Sequence, residues 1–284
     1  MKVLVLGASG MLGNAVFRVM REDAELEVFG TVRSNNAPNL FSAELAKNII
    51  TNCDVDDYDA LVELFVKHKP ELVVNCIGLI KQLADADDPL ITLPINSMLP
   101  HRLAHICKLI DARLIHMSTD CVFSGYKGNY KETDISDAID LYGKSKYIGE
   151  VSYPNCTTIR TSIIGHELGT SNGLIDWFLS QENSCRGFRR AIFSGLPTIV
   201  LAKVIRDFVV PKKDLIGVYH VAAKPISKYD LLKLVAEVYG KKIDIIPDDE
   251  LEIDRSLNAE RFNLITGYTP PDWPELIEIM HSYQ

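Results

Sequence analysis

The first 160 residues alternate between short apolar runs and segments that are apolar on one side only. The runs occupy residues 3–6, 27–32, 49–53, 72–76, 113–117 and 157–160. The segment after the third run has a helical pattern, because Leu61, Leu64 and Phe65 share one face. Asp57 precedes them and can cap the first turn. Strands that alternate with helices in this way predict an α/β fold with a parallel sheet between helices.

Three glycines follow the first apolar run directly. Gly7, Gly10 and Gly13 are spaced for a tight turn, and apolar residues then resume at helical spacing. Glycines allow close backbone approach, and the free N–H groups at the start of a helix suit a pyrophosphate. An ordinary glycine-rich turn is the alternative, but the order of strand, turn and helix favours a dinucleotide cradle. The predicted fold is therefore a Rossmann-type, doubly wound parallel sheet.

The pattern becomes less regular beyond residue 160. Residues 165–173 and 185–197 are predicted to be loops. Ser227 and Asp230 are spaced as a capping box that opens a helix, and Gly240 ends that helix.

These changes predict two domains. Residues 1–160 are expected to form a dinucleotide-binding Rossmann domain, joined by parts of residues 195–225. Residues 161–284 are expected to form a smaller C-terminal substrate-binding domain. A cleft between two such parts is the default place for a ligand.

Composition narrows the class of protein. The 284-residue chain is 47% hydrophobic, yet no apolar run approaches the length of about 18 residues that a membrane span needs. The first apolar run is too short for a signal peptide, and six cysteines without CxxC spacing are typical of a reducing cytoplasm. A net charge of −8 without a basic stripe argues against nucleic acid as a partner.

Two further polar clusters have simple structural alternatives. His101 and His105 stand four residues apart, but no third ligand is evident and no metal site is predicted. Arg186, Arg189 and Arg190 could meet a diphosphate, and a solvated basic loop explains them equally well.

A phenol and an ammonium are spaced for catalysis. Tyr142 and Lys146 stand four residues apart, which places both on one face of a helix. A nearby cation favours the phenolate, so the pKa of Tyr142 is expected to fall. Ser118 and Thr119 end an apolar run, which places their hydroxyls at the carboxyl edge of the sheet.

Several motifs occur in one fixed order. They are Gly7-x2-Gly10-x2-Gly13, Asp54-Val55, Asn75-x2-Gly78, Ser118-Thr119-Asp120, Tyr142-x3-Lys146 and Arg160-Thr161-Ser162. In this order they resemble the extended short-chain dehydrogenases/reductases. The sequence at 118–123, Gly195-x-Pro197-Thr198 and Gly217-Val-Tyr-His220 are most similar to the dTDP-4-dehydrorhamnose reductases. The chain departs from that subgroup at Cys121, where an aromatic residue is usual, and at Ile163-Ile164, which replaces a Trp-containing stretch.

The resemblance implies a role for each motif. Tyr142 would donate a proton to a carbonyl oxygen, and Lys146 would hold the nicotinamide ribose. Thr119, or else Ser118, would hydrogen-bond the developing alkoxide. The implied cofactor-binding residues are Gly7, Ser9, Gly10, Met11, Leu12, Arg33, Asp54, Val55, Cys76, Ile77 and Gly78, with Tyr142 and Lys146. The implied substrate-binding residues are Ser118, Thr119, Asp120, Tyr142 and Ile163.

Three of the implied positions have an alternative interpretation. Arg33 follows the second run, where an arginine accommodates the 2′-phosphate of NADP, so NADP(H) is favoured over NAD(H); the alternative is a solvated surface arginine. Asp54 would contact adenine, or else cap the following turn. Asn96 would support the lysine through water, or else belong to an ordinary helix.

The function implied by the resemblance is that of an NADPH-dependent reductase of a nucleotide-activated 4-keto-6-deoxyhexose in surface polysaccharide biosynthesis. One alternative is a sugar-nucleotide epimerase that retains its NAD(P). Another is a non-catalytic NADP-binding regulatory subunit like the β subunit of methionine adenosyltransferase. A homodimer is common in the superfamily, and it is a possible assembly here.

Overall fold

The computed structural model describes residues 1–81, 84–169 and 171–283. The strands are β1 (Lys2–Leu6), β2 (Glu27–Thr31), β3 (Ile49–Ile50), β4 (Leu72–Asn75), β5 (Arg113–Thr119), β6 (Cys156–Thr161), β7 (Ile163–Ile164), β8 (Ser184–Phe188), β9 (Ala191–Phe193), β10 (Leu196–Pro197), β11 (Gly217–His220), β12 (Ile226–Ser227), β13 (Asp244–Asp248) and β14 (Ile253–Asp254). The α-helices are α1 (Met11–Arg21), α2 (Ala43–Ala46), α3 (Tyr58–His68), α4 (Pro89–Leu93), α5 (Leu99–Leu109), α6 (Leu141–Ile148), α7 (Leu174–Ser180), α8 (Thr198–Val204), α9 (Lys228–Val238), α10 (Glu260–Thr266) and α11 (Trp273–Ser282).

Seven parallel strands form the central sheet, in the order β11-β6-β5-β4-β1-β2-β3. The chain winds outward in one direction from β1 to β3 and in the other from β4 to β11. This reversal between β1 and β4 opens a crevice at the carboxyl ends of the strands, where ligands bind in such sheets. The predicted Rossmann-type fold is confirmed.

Alternating side chains of the central strands build two apolar layers. Val3 and Val5 face a core shared with α1 and α8, whereas Leu4 and Leu6 face a core shared with α3 and α5. All four side chains are fully buried, as expected for a parallel strand covered on both faces.

The predicted helix caps are confirmed. The side chain of Asp57 accepts a hydrogen bond from the backbone N–H of Ala60 at the start of α3. Ser227 accepts from the backbone N–H of Asp230 at the start of α9, and Gly240 follows this helix with φ of 63°.

The prediction of a loop over residues 185–197 is wrong, because β8, β9 and β10 lie there. Their partners come from distant parts of the chain: β8 pairs with β13, β9 pairs with β12 and β14, and β10 pairs with β7. Strands of two to five residues carry too short a period to be recognised alone, and non-local pairing makes them strands. Residues 165–173, apart from residue 170, which lies outside the described residues, are irregular as predicted.

No helix in the described ranges is long and apolar enough to cross a membrane. The six cysteines, all of them in the described part of the chain, are free thiols.

Candidate active site

The glycine turn lies at the carboxyl end of β1. Gly7 has φ of 81° and its carbonyl oxygen accepts from the N–H of Gly10 at 3.0 Å. A Cβ on Gly13 would collide with that same carbonyl, so only glycine lets α1 pack against the turn. Ser9 lies inside the turn, and Met11 and Leu12 form the first positions of α1. The free N–H groups of α1 therefore point into the crevice of the sheet.

The loop after β4 joins this turn to α6, the helix that carries Tyr142 and Lys146. Asn75 accepts from the N–H of Ile77 at 3.1 Å, and a Cβ on Gly7 would lie only 2.9 Å from the side chain of Ile77. Cys76 is bound through its N–H to β1, at 3.1 Å from the carbonyl of Leu6. A Cβ on Gly78 would lie 3.5 Å from the Nζ of Lys146. The structure thus brings the predicted residues 76–78 together with the turn and with Lys146.

Two predicted cofactor residues are exposed at the edge of the crevice. Arg33 follows β2 and has no hydrogen-bond or ion-pair partner among the residues that the structure describes. Asp54 accepts from the N–H of Asp56 at 3.1 Å, as a turn-capping residue does. Val55 is buried beside it in the apolar core.

The carboxyl end of β5 meets α6, where the three predicted catalytic residues converge. Asp140 caps α6 by accepting from the N–H of Gly143 at 2.8 Å, and this fixes Tyr142 in the first turn. Lys146 is buried and its Nζ donates to the carbonyl of Met117 at 2.7 Å. The hydroxyl of Thr119, the last residue of β5, lies close enough to the phenol of Tyr142 to lower its pKa.

The pKa of Tyr142 differs from the sequence-based expectation. The phenol is half-buried, and its desolvation raises the pKa above the ordinary value; Cys121 and Asp120 raise it further, while Thr119 opposes them. The expected lowering by Lys146 is wrong for this arrangement. Burial lowers the pKa of Lys146 itself to about 8, and its ammonium is directed to a backbone carbonyl. Tyr142 therefore keeps its proton at neutral pH, as a proton donor must.

Asp120 and Cys121 follow Thr119 and are hydrogen-bonded to its hydroxyl. Thr119 donates to the Oδ1 of Asp120 at 3.2 Å and accepts from the N–H of Cys121 at 3.1 Å. Burial raises the pKa of Asp120, with Arg255 opposing it. Burial also raises the pKa of the Cys121 thiol to about 12, so this thiol stays neutral.

Arg255 is a site residue that the sequence did not indicate. It follows β14, and its Nε donates to the carbonyl of Phe123 at 2.8 Å while Nη1 lies 3.6 Å from the Sγ of Cys121. No local pattern marks it, because the contact joins positions 134 residues apart in the chain. The C-terminal part of the chain thereby supplies a cation beside Asp120 and Cys121.

Three other predicted residues have their hydrogen bonds and strand contacts with residues other than Tyr142. The hydroxyl of Ser118 donates to Glu150 at 2.6 Å, on the opposite face of β5 from Thr119. Ile163 is half-buried where β7 pairs with β10. Asn96 is buried in a π-helical turn, Pro94–Met98, and its Oδ1 accepts from the N–H of Leu79 at 2.9 Å.

The remaining polar clusters have structural partners. His101 contacts the hydroxyl of Tyr153 at 2.9 Å and the carbonyl of Ile148 at 2.8 Å. Across the described residues no group of His, Cys, Asp or Glu could hold a metal ion. The exposed arginines of residues 186–190 form ion pairs with acidic residues of 248–252.

Comparison with known sequences identifies relatives along the whole chain. The sequence matches the family model described as RmlD substrate binding domain over residues 1–258. It is 31% identical to the probable low-salt glycan biosynthesis reductase Agl14 of Haloferax volcanii, over 62% of this chain and 57% of that protein. It is 24% identical to the dTDP-4-dehydrorhamnose reductase of Aggregatibacter actinomycetemcomitans, over 97% of this chain and 87% of the other. Methionine adenosyltransferase 2 subunit beta of Danio rerio is 25% identical, over 84% of this chain and 74% of its own length.

Solved structures share the architecture. A hypothetical dTDP-4-dehydrorhamnose reductase from Sulfolobus tokodaii has a TM-score of 0.78 at 26% identity, covering 96% of this chain and 98% of that one. The dTDP-4-dehydrorhamnose reductase from Bacillus anthracis, solved in complex with NADP, has a TM-score of 0.81 at 20% identity, with 100% and 98% covered. The UDP-glucose 4-epimerase from Thermotoga maritima, solved with UDP-glucose, also reaches 0.81, at 17% identity with 100% and 98% covered.

Proposed function

The chain belongs to the family of the RmlD substrate binding domain and is an oxidoreductase of the extended short-chain dehydrogenase/reductase type. From this we propose that it is an NADPH-dependent reductase of a nucleotide-activated 4-keto-6-deoxyhexose. The observation that carries the proposal is the convergence of Tyr142, Thr119 and Lys146 at the carboxyl edge of the sheet. One relative is named as a probable glycan biosynthesis reductase and another as a dTDP-4-dehydrorhamnose reductase, and both names support a role in surface polysaccharide biosynthesis.

The N-terminal turn fits a dinucleotide. Within 4 Å, a Cβ on Gly10 would meet only the carbonyl of Gly7, at 3.4 Å. The space next to the Cα of Gly10 is therefore open to a ligand. The pyrophosphate would lie on the N–H groups of residues 9–12, and residues 76–78 would line the nicotinamide half. When bound, the cofactor supplies the hydride.

The protein's own part in the reaction is to move one proton and to hold charge. Tyr142 donates its phenolic proton to the carbonyl oxygen of the sugar as that oxygen gains charge. Thr119 hydrogen-bonds the same oxygen. Lys146 binds the nicotinamide ribose with the donors of its ammonium that Met117 leaves free.

Arg33 supports the choice of NADPH. Its guanidinium is exposed, has no partner within the described ranges, and follows β2, where the adenosine ribose lies in folds of this type. A 2′-phosphate would give it a bidentate, charge-assisted partner.

Arg255 supports a nucleotide-sugar substrate. Only its Nε and Nη1 have partners in the described structure, which leaves donors on Nη2 for an anionic oxygen. We assign it to the diphosphate of the substrate, which would then reach Tyr142 with its sugar. The six free thiols favour a reducing compartment for this reaction.

A regulatory subunit is the second candidate. The relationship to methionine adenosyltransferase 2 subunit beta covers most of the chain, and such a protein would bind cofactor without turnover. An epimerase would retain its cofactor through dialysis.

The test is a panel of 4-keto sugar nucleotides with NADPH and NADH, read by loss of reduced cofactor. Stoichiometric oxidation supports the reductase; retained cofactor without net oxidation supports an epimerase, and binding without turnover supports a regulatory subunit.

A further inference from the structure

Helix α6 and the residues that follow it contact three consecutive residues of β5. Tyr142 and Lys146 stand four residues apart on one side of α6, and Glu150 lies two residues beyond the end of this helix. Lys146 donates to the carbonyl of Met117, and the hydroxyl of Ser118 donates to Glu150 at 2.6 Å. Thr119, next along the strand, faces Tyr142. The strand end is therefore in contact with α6 through Tyr142 and Lys146, and with the segment just after α6 through Glu150.

Glu150 is the most firmly held of the three. Its carboxylate accepts from Nε and Nη2 of Arg160 at 2.7 Å each, in addition to the hydroxyl of Ser118. The side chains of Glu150 and Arg160 are only 5% and 4% exposed. A bidentate pair at such burial is rigid, and removing one partner leaves an uncompensated charge.

His220 anchors the pair without adding charge. Its Nδ1 donates to the carbonyl of Tyr130 at 3.0 Å, so its Nε2 carries the lone pair that accepts from Nη1 of Arg160 at 3.3 Å. Burial lowers the pKa of His220 to about 3, which keeps the ring neutral. The carboxylate of Glu150 thus balances Arg160, while β6 and β11 hold the pair in place.

We propose that Ser118 and Glu150 are positioning residues, which set the register of α6 on β5 and thereby hold Tyr142 opposite Thr119. The test of this inference by turnover rests on the proposed function. Its test by cofactor binding rests only on the geometry of these residues. Ser118 then acts through Glu150, and its hydroxyl does not contact the sugar.

The same arrangement makes Glu150 the charged neighbour of Lys146. Cys76 on the loop after β4 and His116 in β5 also face this ammonium. Burial raises the pKa of the Cys76 thiol to about 12 and lowers the pKa of His116 well below its usual value, so both are neutral near pH 8. Removal of the charge of Glu150 should therefore lower the pH at which Lys146 loses its proton.

Ser118→Ala and Glu150→Gln test the proposal, with Ser118→Thr as the conservative control that keeps the hydroxyl. We expect Ser118→Ala to lower kcat by about 10- to 100-fold with little change in KM for the sugar nucleotide, since small displacements of catalytic groups have effects of this size. Ser118→Thr should restore the rate. A raised KM with unchanged kcat would identify Ser118 as a substrate contact and overturn the proposal.

Cofactor binding provides a readout that needs no turnover. NADPH fluorescence titrations across pH should show the loss of affinity at a lower pH in Glu150→Gln than in the unmutated chain, and at an unchanged pH in Ser118→Ala. Identical pH dependence in all three proteins would contradict the role of Glu150. If the unmutated chain shows no turnover, the proposed function is wrong, and this titration alone tests the positioning role of Glu150. If Glu150→Gln fails to fold, the kcat and KM of the two Ser118 variants test the positioning role instead.

Discussion

The ammonium of Lys146 lies 2.7 Å from the carbonyl oxygen of Met117 and joins the helix that carries Tyr142 to the strand that ends at Thr119. An ammonium has three donors, and the described structure uses one of them. The other two remain for the ribose hydroxyls of a nicotinamide nucleotide. One side chain thus joins α6 to β5 and, in the proposed function, would present its charge to the cofactor.

The low pKa of Lys146 predicts the alkaline limb of the pH profile. Since burial lowers this pKa to about 8, the ammonium loses its proton as the pH rises through that value, whereas the raised pKa of Tyr142 keeps the phenol protonated there. We expect kcat/KM to fall above about pH 8, because it reports the groups of the free enzyme. In Lys146→Arg the side chain stays charged, so kcat/KM should no longer fall above about pH 8, although the rate of this variant is lower. A flat profile up to about pH 10 in the unmutated chain would be inconsistent with this assignment.

Two glycines of the N-terminal turn should separate cofactor binding from stability. Gly10 has φ of −77° and room for a Cβ, so Gly10→Ala should fold normally but weaken NADPH binding, because the methyl group occupies the path of the pyrophosphate. Gly13→Ala should lower the free energy of unfolding by about 1–3 kcal/mol, because its Cβ meets the carbonyl of Gly7. Fluorescence titration and urea denaturation measure the two effects.

A matched control for these glycines lies outside the site. Gly240 has φ of 63°, and among the described residues nothing lies within 4 Å of the position that a Cβ would take. Gly240→Ala should therefore show only backbone strain and normal NADPH affinity. Weakened NADPH binding in this control would mean that the fluorescence assay reports stability instead of contact.

Arg33→Ala tests the coenzyme preference. Loss of a charge-assisted contact to the 2′-phosphate should raise KM for NADPH by about 10- to 100-fold and leave KM for NADH unchanged. Arg190→Ala removes another exposed arginine, which pairs with Glu252, and it should change neither value. Equal effects of Arg33→Ala on both coenzymes would refute the 2′-phosphate contact.

Arg255→Ala tests the substrate contact from the C-terminal part of the chain. We expect KM for the sugar nucleotide to rise by about 10-fold or more, since a charged hydrogen bond to the diphosphate is lost, while KM for NADPH stays the same. Arg186→Ala removes an exposed, ion-paired arginine and serves as the control. If KM for NADPH rises in parallel, Arg255 supports the whole site instead of the substrate.

The sequence predicted six of the seven strands of the central sheet, because each of the six is a local apolar run. It did not predict β11, which becomes a strand by pairing with β6 at the edge of the sheet. β3 ends at Ile50, short of the predicted residue 53, because Asn52 has φ of 55° and turns the chain. β5 continues to Thr119, two residues beyond the predicted end, because Ser118 and Thr119 still pair with Arg160 and Thr161 of β6.

Features that depend on contacts between residues far apart in the chain could not be predicted from local sequence patterns. The glycine turn and the spacing of Tyr142 and Lys146 are local, and the structure places them as expected. The contact between Arg255 and Cys121 and the ion pair of Glu150 with Arg160 exist only after the chain has folded. The pKa of Tyr142 is likewise set by burial and by neighbours from other elements, which explains why spacing alone predicted its direction wrongly.

The most direct test of the central claim is NADPH oxidation by the unmutated chain and by Tyr142→Phe with the same 4-keto sugar nucleotide. The account predicts turnover by the unmutated chain, and in Tyr142→Phe a kcat lower by about 10²- to 10⁴-fold with unchanged NADPH affinity, since only the proton donor is lost. Equal rates in the two proteins, or no oxidation by the unmutated chain with any such sugar, would contradict it.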